Sequence, residues 1–459
     1  MKEYYTPNDD EIMGSSDSES IQNAVDEALK TGIGRVVIPK INKRTGKVLW
    51  EVDSAVILSS NIEIILDNAY ILQKEGSMDN VFRNFEEDKI RKSYKEEQHN
   101  IIIRGTGNAV IDGGKHNGLT EFTSMKNGMP NIRKNNMILL HNLRNFTIEG
   151  ITLLNQRWWA VNLIYCEQGI VSRLNINAQN NVPNQDGVDL RIGCHDIIIE
   201  NLSGQSGDDF IALTGFYGGY ESGTYTVEGK SKDIHDIIIK NIIASSFDCA
   251  VVALRNNDGV KLYNVSIDNI HDTANGTENM TDYNVQHRQE CRDDAGMLSP
   301  YAVVRINQKG FESIRSVMPG ETYGINITNI YSKCNAAVMI NRDIEKTYIG
   351  NIYANGKTKY AVTTKTEWGN NFGLNARDVI IENVFFNAES ENSVVFDFDN
   401  DEEDKTLENV YARNIFCGNA KVAVNLQHKG RLVIDNMIYN GEISKTDGSE
   451  LVINGKTIL

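Results

Sequence analysis

The 459-residue sequence has only 6 prolines, and no stretch of it has the composition of an interdomain linker. Its cysteines are few and scattered, at positions 166, 194, 249, 291, 334 and 417, unlike the dense spacing of a disulfide-stabilised scaffold. No segment approaches the roughly 18 consecutive apolar residues of a membrane span. We therefore expect one domain over residues 1–459. Cys166 and Cys194 are expected to be stacked core thiols rather than part of a disulfide framework, and a cross-link between them is the alternative.

Positive charge is also in deficit, because 46 Lys and Arg residues face 62 Asp and Glu residues, for a formal net charge of −16. An acidic surface repels nucleic acid and anionic membranes, so neither is an expected partner. A local basic pocket can still bind one carboxylate of a uronate substrate. The first 15 residues contain no apolar stretch of signal-peptide length. Unless a signal has been removed, the sequence favours a cytoplasmic protein.

What the chain does contain is a repeated β-branched run that closes with asparagine. These asparagines are Asn201, Asn241, Asn269, Asn329, Asn351, Asn383, Asn414 and Asn436. Their spacing fits one coil of a solenoid plus insertions of variable length, and a single coil cannot bury its own apolar face. The repeats predict an all-β parallel β-helix with an asparagine ladder along one corner. An antiparallel sandwich is the alternative, and it would not require this regular spacing.

The first residues predict a cap for such a solenoid. Asp17 and Ser18 offer N-cap side chains, and a helix of about three turns follows. Its apolar face would consist of Ile21, Val25 and Ala28. A helix over the open end prevents edge pairing with another molecule, so residues 15–40 are expected to form the cap and the first strand. Residues 271–300 are the longest polar insertion and are expected to form a loop.

Two aspartate motifs lie about one coil apart. The motif N-x-D-G-x-D spans residues 184–189, and G-D-D spans residues 207–209. Since stacked strands lie about 4.8 Å apart, Asp186, Asp208 and Asp209 are expected to form one patch of carboxylates. Carboxylates at such short separations cannot all ionise freely, so one of them retains its proton to higher pH. One protonated and one ionised carboxyl group are what glycoside hydrolysis requires.

These motifs and their flanking segments resemble glycoside hydrolase family 28, the polygalacturonases and their bacterial exo-acting relatives. The flanking segments are Ser20–Val25, Arg35–Pro39, Ile102–Gly105, Ile111–Gly114 and Trp158–Cys166. The resemblance extends over about residues 15–350. It implies a right-handed parallel β-helix and an inverting hydrolase of pectic chains.

The same resemblance implies roles for the aspartates. Asp208 would be the general acid, and Asp186 with Asp209 would hold and deprotonate the attacking water. The residues alone do not decide which of the three is the acid. Asn184 and Asp189 belong to the same motif and are expected at the substrate, where Asp189 braces the turn.

Other substrate-binding candidates follow from the family pattern and from departures from it. The family's Gly-His-Gly is absent, and one repeat interval of 40 residues beyond Asp208 lies Asp248 instead. The family's Arg-Ile-Lys is partly kept, with Arg305 in place and the lysine displaced to Lys309. Arg255 is a second candidate cation, and Trp159 matches the family's tryptophan. The alternative role for Arg305 is a structural ion pair. The alternative role for Trp159 is packing in the core.

Polar insertions on both sequence sides of the aspartates favour a blocked groove, and hence an exo-acting enzyme on short, uronate-containing oligosaccharides. The sequence predicts no metal and no cofactor, and it leaves the oligomeric state open. The alternatives are a β-helix fructotransferase or other transglycosidase, a polysaccharide lyase, and a non-catalytic carbohydrate-binding protein.

Overall fold

The structure is a computed structural model. It describes residues 2–85, 96–114, 135–178, 184–216, 225–247, 249–274, 302–306, 315, 317–364, 374–399 and 405–459. Within them the chain forms one α-helix and 29 β-strands. It divides into two compact units: unit 1 comprises Met1–Gly207 and Gly223–Lys232, and unit 2 comprises Asp208–Ser222 and Asp233–Leu459. The single domain expected from the sequence stays a prediction.

Unit 1 begins with the helix α1 (Asp17–Lys30) and continues with short strands. The strands are β1 (Arg35–Pro39), β2 (Trp50–Val52), β3 (Val56–Ile57), β4 (Ile62–Asp67), β5 (Tyr70–Gln73), β6 (Phe82–Arg83), β7 (Gln98–Thr106), β8 (Val110–Asp112), β9 (Ile138–Glu149), β10 (Thr152–Leu154), β11 (Val161–Ser172), β12 (Asn175–Asn177), β13 (Val188–Leu190) and β14 (His195–Ser206).

The strands of unit 1 pair in parallel with the strand one coil away. One series of pairs runs β1–β4–β7–β9–β11–β14. Its register aligns one buried aliphatic side chain per coil. These are Val36, Ile64, Ile103, Ile148, Val171 and Ile199. Each coil therefore buries its apolar face against its neighbours, as the repeats predict.

The helix α1 covers the first coils as expected. Its apolar face of Ile21, Val25 and Ala28 is fully buried. The N-cap is Ser16, one residue before the expected pair, and its hydroxyl accepts the backbone N–H of Glu19 at 3.1 Å. Asp17 instead lies in the first turn, where its buried carboxylate is paired with an arginine side chain.

Unit 2 contains the remaining strands. They are β15 (Ile211–Gly215), β16 (Ile234–Ser246), β17 (Ala250–Asn256), β18 (Leu262–Asp272), β19 (Ala302–Ile306), β20 (Thr322–Ile340), β21 (Ile344–Thr363), β22 (Ala376–Ala388), β23 (Val394–Asp399), β24 (Leu407–Cys417), β25 (Val422–Gln427), β26 (Gly430–Tyr439), β27 (Glu442–Lys445), β28 (Ser449–Ile453) and β29 (Lys456–Ile458).

The strands of unit 2 are also parallel, except that β29 turns back antiparallel on β28. The series β16–β18–β20–β21–β22–β24–β26–β28 stacks a buried aliphatic column. Its members are Ile239, Ile267, Ile327, Ile349, Ile381, Ala412, Ile434 and Ile453. The predicted fold class, an all-β parallel β-helix with an N-terminal capping helix, is confirmed.

The predicted asparagine ladder is present in unit 2. The side-chain amide of Asn351 donates to Asn329 at 3.0 Å, and that of Asn383 donates to Asn351 at 2.9 Å. Asn414 and Asn436 continue the ladder at 3.0 and 2.8 Å. All five have φ between 53° and 59°, a left-handed conformation that asparagine tolerates better than most residues. One residue type thus satisfies both the corner conformation and the side-chain hydrogen bond.

Cys166 and Cys194 are buried free thiols, as predicted. Their sulfurs donate to the carbonyls of Leu140 and Leu163 at 3.4 and 3.2 Å. Burial raises the pKa of the Cys166 thiol well above its usual range. Both thiols therefore behave as small apolar core groups.

Among the described residues, no helix is long and apolar enough to cross a membrane.

An imidazole lies at the centre of an aromatic cluster in unit 1. The ring of His141 packs against Phe85, Tyr165 and Tyr225 at centroid distances of 6.1, 6.2 and 5.6 Å. Its Nε2 lies 2.7 Å from the carbonyl oxygen of Tyr225. Burial lowers the pKa of His141 to about 4. The ring is therefore neutral in the folded protein at neutral pH.

We expect this histidine to make stability depend on pH. The unfolded chain binds a proton at His141 below pH 6.5, whereas the folded chain does so only near pH 4, so stability falls as pH drops through this window. The slope is at most about 1.4 kcal/mol per pH unit. In His141→Gln, the loss between pH 7 and 5 should be smaller by about 2 kcal/mol, measured by urea unfolding. His99→Gln, at an exposed site, should keep the parent profile, and an unchanged profile in His141→Gln would refute the assignment.

Candidate active site

In unit 1, the turn that carries Asp186 is held by two glutamines. The side-chain amide of Gln156 donates to the carbonyls of Gln185 and Asp186, both at 3.2 Å. The Gln185 amide returns the contact by donating to the carbonyl of Gln156 at 2.7 Å. The backbone N–H of Ala160 also donates to the Asp186 carbonyl, at 3.1 Å. Four hydrogen bonds thus fix the backbone at a buried carboxylate.

Trp159 is almost fully buried, with 5% of its surface exposed, and it contacts Trp158. The guanidinium carbon of Arg191 lies 4.7 Å from the centroid of the Trp159 ring, a cation–π geometry. Asp189, in β13, is paired across the sheet with Asn162 in β11, and both are buried. The bracing role of Asp189 stays a prediction. Asn184 lies at the start of this turn with φ 62°.

In unit 2, Asp208 and Asp209 occupy different environments. Asp208 is partly exposed, and its Oδ1 accepts the backbone N–H of Asp209 at 2.9 Å. Asp209 is fully buried, and its Oδ1 accepts the backbone N–H of Ala250 at 3.0 Å. The hydroxyl of Ser246 donates to the Asp208 carbonyl at 2.6 Å and accepts the N–H of Cys249 at 2.9 Å. Each of the two carboxylates therefore accepts a backbone N–H, and Ser246 also holds the backbone at Asp208.

One arginine contacts this pair of carboxylates directly, and a second contacts the neighbouring Cys249. The Arg255 guanidinium forms an ion pair with Oδ2 of Asp209. Arg305 is buried, and its Nη2 donates to the carbonyl of Cys249 at 3.1 Å. The structure thus brings both predicted cations to the Asp208–Asp209 segment. Whether either binds a substrate carboxylate stays a prediction.

The strand register identifies Cys249 as the residue beside Asp208, which the 40-residue interval used for the sequence prediction missed. Strand β15 pairs with β17 so that Ile211 lies opposite Val252, an offset of 41 residues rather than 40. Continued back along the strands, this offset aligns Cys249 with Asp208. Asp248 and Lys309, which were predicted to bind substrate, lie outside the described residues.

Oxygen and sulfur atoms of Asp208, Asp209 and Cys249 lie within 4.8 Å of one another, so these residues could hold a metal ion. One carboxylate of this group already contacts the Arg255 guanidinium. That cation supplies positive charge at the position where a metal would be needed. The donor set therefore fits a charge-paired acidic site better than a metal centre.

Sequence patterns missed Gln156, Arg191, Ser246 and Cys249. Cys249 would have been found with the 41-residue offset, which only strand pairing reveals.

Asp186 belongs to unit 1, whereas Asp208, Asp209, Arg255 and Arg305 belong to unit 2. The assignment of catalytic roles across this group of residues stays a prediction.

Residues 83–218 match the family model for glycosyl hydrolases family 28. The matched region includes Asp186, Asp208 and Asp209, so the predicted resemblance to family 28 is confirmed. A predicted galacturan 1,4-alpha-galacturonidase A of Aspergillus niger is 25% identical over 227 residues, which are 44% of this chain and 47% of that protein. The chain therefore spans about half the length of this curated relative.

Solved structures share the fold along nearly the whole chain. A hyperthermoactive exopolygalacturonase from Thermotoga maritima is 15% identical, with 96% of this chain and 88% of that chain covered and a TM-score of 0.50. A tailspike protein mutant of E. coli bacteriophage HK620, in complex with pentasaccharide, is 12% identical, with 99% and 79% covered and a TM-score of 0.58. At these identities the likeness shows the β-helix fold.

Proposed function

We propose that this protein is a glycoside hydrolase that acts on pectin-derived chains, with Asp208 as its general acid. The observation that carries the proposal is the asymmetric Asp208–Asp209 pair, one carboxylate partly exposed and the other buried against Arg255. It lies inside the segment that matches family 28.

The chemistry follows from these different environments. Two carboxyl groups can divide acid and base roles when their surroundings differ. Asp209 faces a guanidinium, which balances the charge of its ionised form. Asp208 is the member of the pair that solvent reaches, so it is the one positioned to contact a glycosidic oxygen.

Asp186 is assigned to the base side of the reaction, together with Asp209. Its backbone is held by the Gln156–Gln185 amide pair, which gives its carboxylate a defined position. A base that activates water opposite the leaving group inverts the anomeric carbon. Inversion is therefore part of the proposal.

The proposed substrate is a short, uronate-containing oligosaccharide attacked from one end. The Aspergillus relative is named as a galacturonidase, and the Thermotoga structure as an exopolygalacturonase. Arg305 and Arg255 provide the guanidinium groups that bind carboxylates in a bidentate manner. Arg305 is buried, and its Nη2 donates to the carbonyl of Cys249, whose sulfur lies within 4.8 Å of a carboxylate oxygen of both Asp208 and Asp209.

The test is product analysis with tri-, tetra- and pentagalacturonate and with matched neutral galactosides. We expect the release of one galacturonate at a time, with water added and the anomeric configuration inverted in early NMR spectra. Products cut from the middle of the chain would contradict exo-action. An unsaturated product absorbing in the ultraviolet would indicate a lyase, a product without added water would indicate a transglycosidase, and binding without turnover would indicate a non-catalytic protein.

A further inference from the structure

Seven consecutive coils of unit 2 carry an exposed or half-exposed apolar or aromatic side chain at the same position. The position lies two residues beyond the positive-φ asparagine corner of each coil. The seven residues, here called the apolar ladder, are Ile243, His271, Tyr331, Tyr353, Phe385, Phe416 and Ile438. At about 4.8 Å per coil, the ladder is about 29 Å long.

The ladder is well exposed at both ends. Ile438 is 64% exposed, Ile243 is 54%, and Phe385 and Phe416 are 47% and 44%. Single exposed apolar residues are ordinary, but an uninterrupted exposed strip indicates an interaction site.

The coil itself does not require apolar residues at this position. In unit 1, the residues two beyond the positive-φ corners at Gly150, Arg173 and Asn201 are polar. They are Thr152, Asn175 and Ser203, which also stack in register on neighbouring strands. The same position is thus polar and non-aromatic in these coils of unit 1, and apolar or aromatic throughout the ladder.

The ladder is poorly suited to stacking against sugar rings. The ring centroids of His271 and Tyr331 lie 4.1 Å apart, those of Tyr331 and Tyr353 4.8 Å, and those of Tyr353 and Phe385 5.4 Å. The planes of each pair lie within 9° of parallel, so the rings cover one another's faces. Ring faces covered in this way are not available to sugars, so the strip suits a protein surface better than a carbohydrate.

A column of charges runs beside the ladder, at the residue just before each corner. In coil order it reads Lys240, Asp268, Thr328, Gly350, Glu382, Arg413 and Asp435. If a second copy packs antiparallel about a two-fold axis through the central coil, the first position faces the seventh and the second faces the sixth. Lys240 then faces Asp435 of the other copy, and Asp268 faces Arg413, so both pairs are of opposite charge.

The two registers one coil away from the centred one lack this property. A shift by one coil in one direction places Lys240 opposite Arg413 and Asp268 opposite Glu382, two like-charge pairs. A shift in the other direction places Asp268 opposite Asp435. Like charges across an interface oppose association, so the column favours the centred register over these two neighbouring registers.

We infer that the apolar ladder is the core of a homodimer interface, in which two copies pack antiparallel about a two-fold axis beside Tyr353. An isologous contact of this kind is the commonest oligomer symmetry. A stable interface buries about 800 Å² on each partner, with an apolar core and a polar rim. The ladder provides the core, and the Lys240–Asp435 column provides the rim.

The first test is sedimentation equilibrium of the full chain over a concentration range. We expect a dimer whose dissociation constant rises at least about tenfold in Phe385→Lys, since truncating a central contact has this effect. Ile170→Lys is the matched control, because Ile170 is 40% exposed in unit 1 and lies outside the ladder. Circular dichroism checks that both variants are folded. A parent protein that stays monomeric, or a dimer unaffected by Phe385→Lys, would overturn the inference.

A charge exchange tests the register. Lys240→Asp and Asp435→Lys should each weaken the dimer, because each change places like charges opposite one another. The double variant restores opposite charges and should recover most of the parent affinity. A fold defect cannot produce this recovery. If the loss of dimerisation free energy in the double variant equals the sum of the losses in the two single variants, the antiparallel register is wrong.

Discussion

Asp208→Asn should reduce kcat on oligogalacturonides by about 10²–10⁴-fold, because the amide cannot donate the proton that the leaving oxygen requires. The substitution preserves side-chain shape, and the contacts that hold the backbone at Asp208 come from Ser246 and so remain available. KM should change little if the carboxyl acts mainly in the transition state. The measurement is steady-state kinetics on trigalacturonate, with folding confirmed by circular dichroism.

The control is Asp236→Asn in the same unit. Asp236 lies at an exposed corner with φ 55°, where its Oδ1 accepts the side-chain amide of Asn264 at 3.1 Å. Asparagine suits this backbone conformation, so activity should match the parent. Equal activity in Asp208→Asn and the parent would remove Asp208 from the mechanism and leave Asp186 as the next candidate for the acid.

Arg255→Met should lower the free energy of unfolding by about 3–5 kcal/mol, the usual cost of removing one partner of a buried ion pair. The methionine keeps much of the side-chain volume but leaves Asp209 fully buried without its cation. Urea unfolding followed by circular dichroism measures the change. Activity should fall as well, because the ionised form of Asp209 loses its balancing charge.

A second substitution separates charge from packing. In the Arg255→Met/Asp209→Asn double variant, no unbalanced charge remains, and at least half of the lost stability should return. The control is Arg431→Met, which removes a surface ion pair with Glu450 whose side chains are 60% and 52% exposed. Such a pair contributes at most about 1 kcal/mol. A loss in Arg255→Met no larger than in this control would show that the guanidinium does not stabilise Asp209.

The fold class could be predicted from the sequence because the stacking of coils imposes a periodic residue pattern. Each corner needs a left-handed residue with an amide that reaches the next coil, so asparagine recurs at Asn351, Asn383 and Asn414. The capping helix was equally visible, since Ile21, Val25 and Ala28 follow helical spacing. Each of these patterns can be recognised within one stretch of sequence, without knowing which strands pair.

The site was less visible because its contacts join residues far apart in the chain. The 41-residue offset that aligns Cys249 with Asp208 depends on strand pairing, and a one-residue error selects a different side chain. The contact between Gln156 and Asp186 spans 30 residues, and neither glutamine of the amide pair belongs to a recognisable motif. Arg255 and Arg305 were selected as cations, but pairing with Asp209 and with the Cys249 carbonyl emerged only from the folded geometry.

The asparagine corners also allow the solenoid to change its loops without disturbing its strands. The amide of Asn329 reaches back to the preceding coil, where it donates to Asp268 at 2.7 Å, although the intervening chain is about twice the length of an ordinary coil. The next coil is short, yet Asn351 bonds Asn329 at the same corner. Insertions between corners therefore leave the contacts between successive corners in place. Substrate preference can therefore diverge through loop length alone while the asparagine corners keep their contacts.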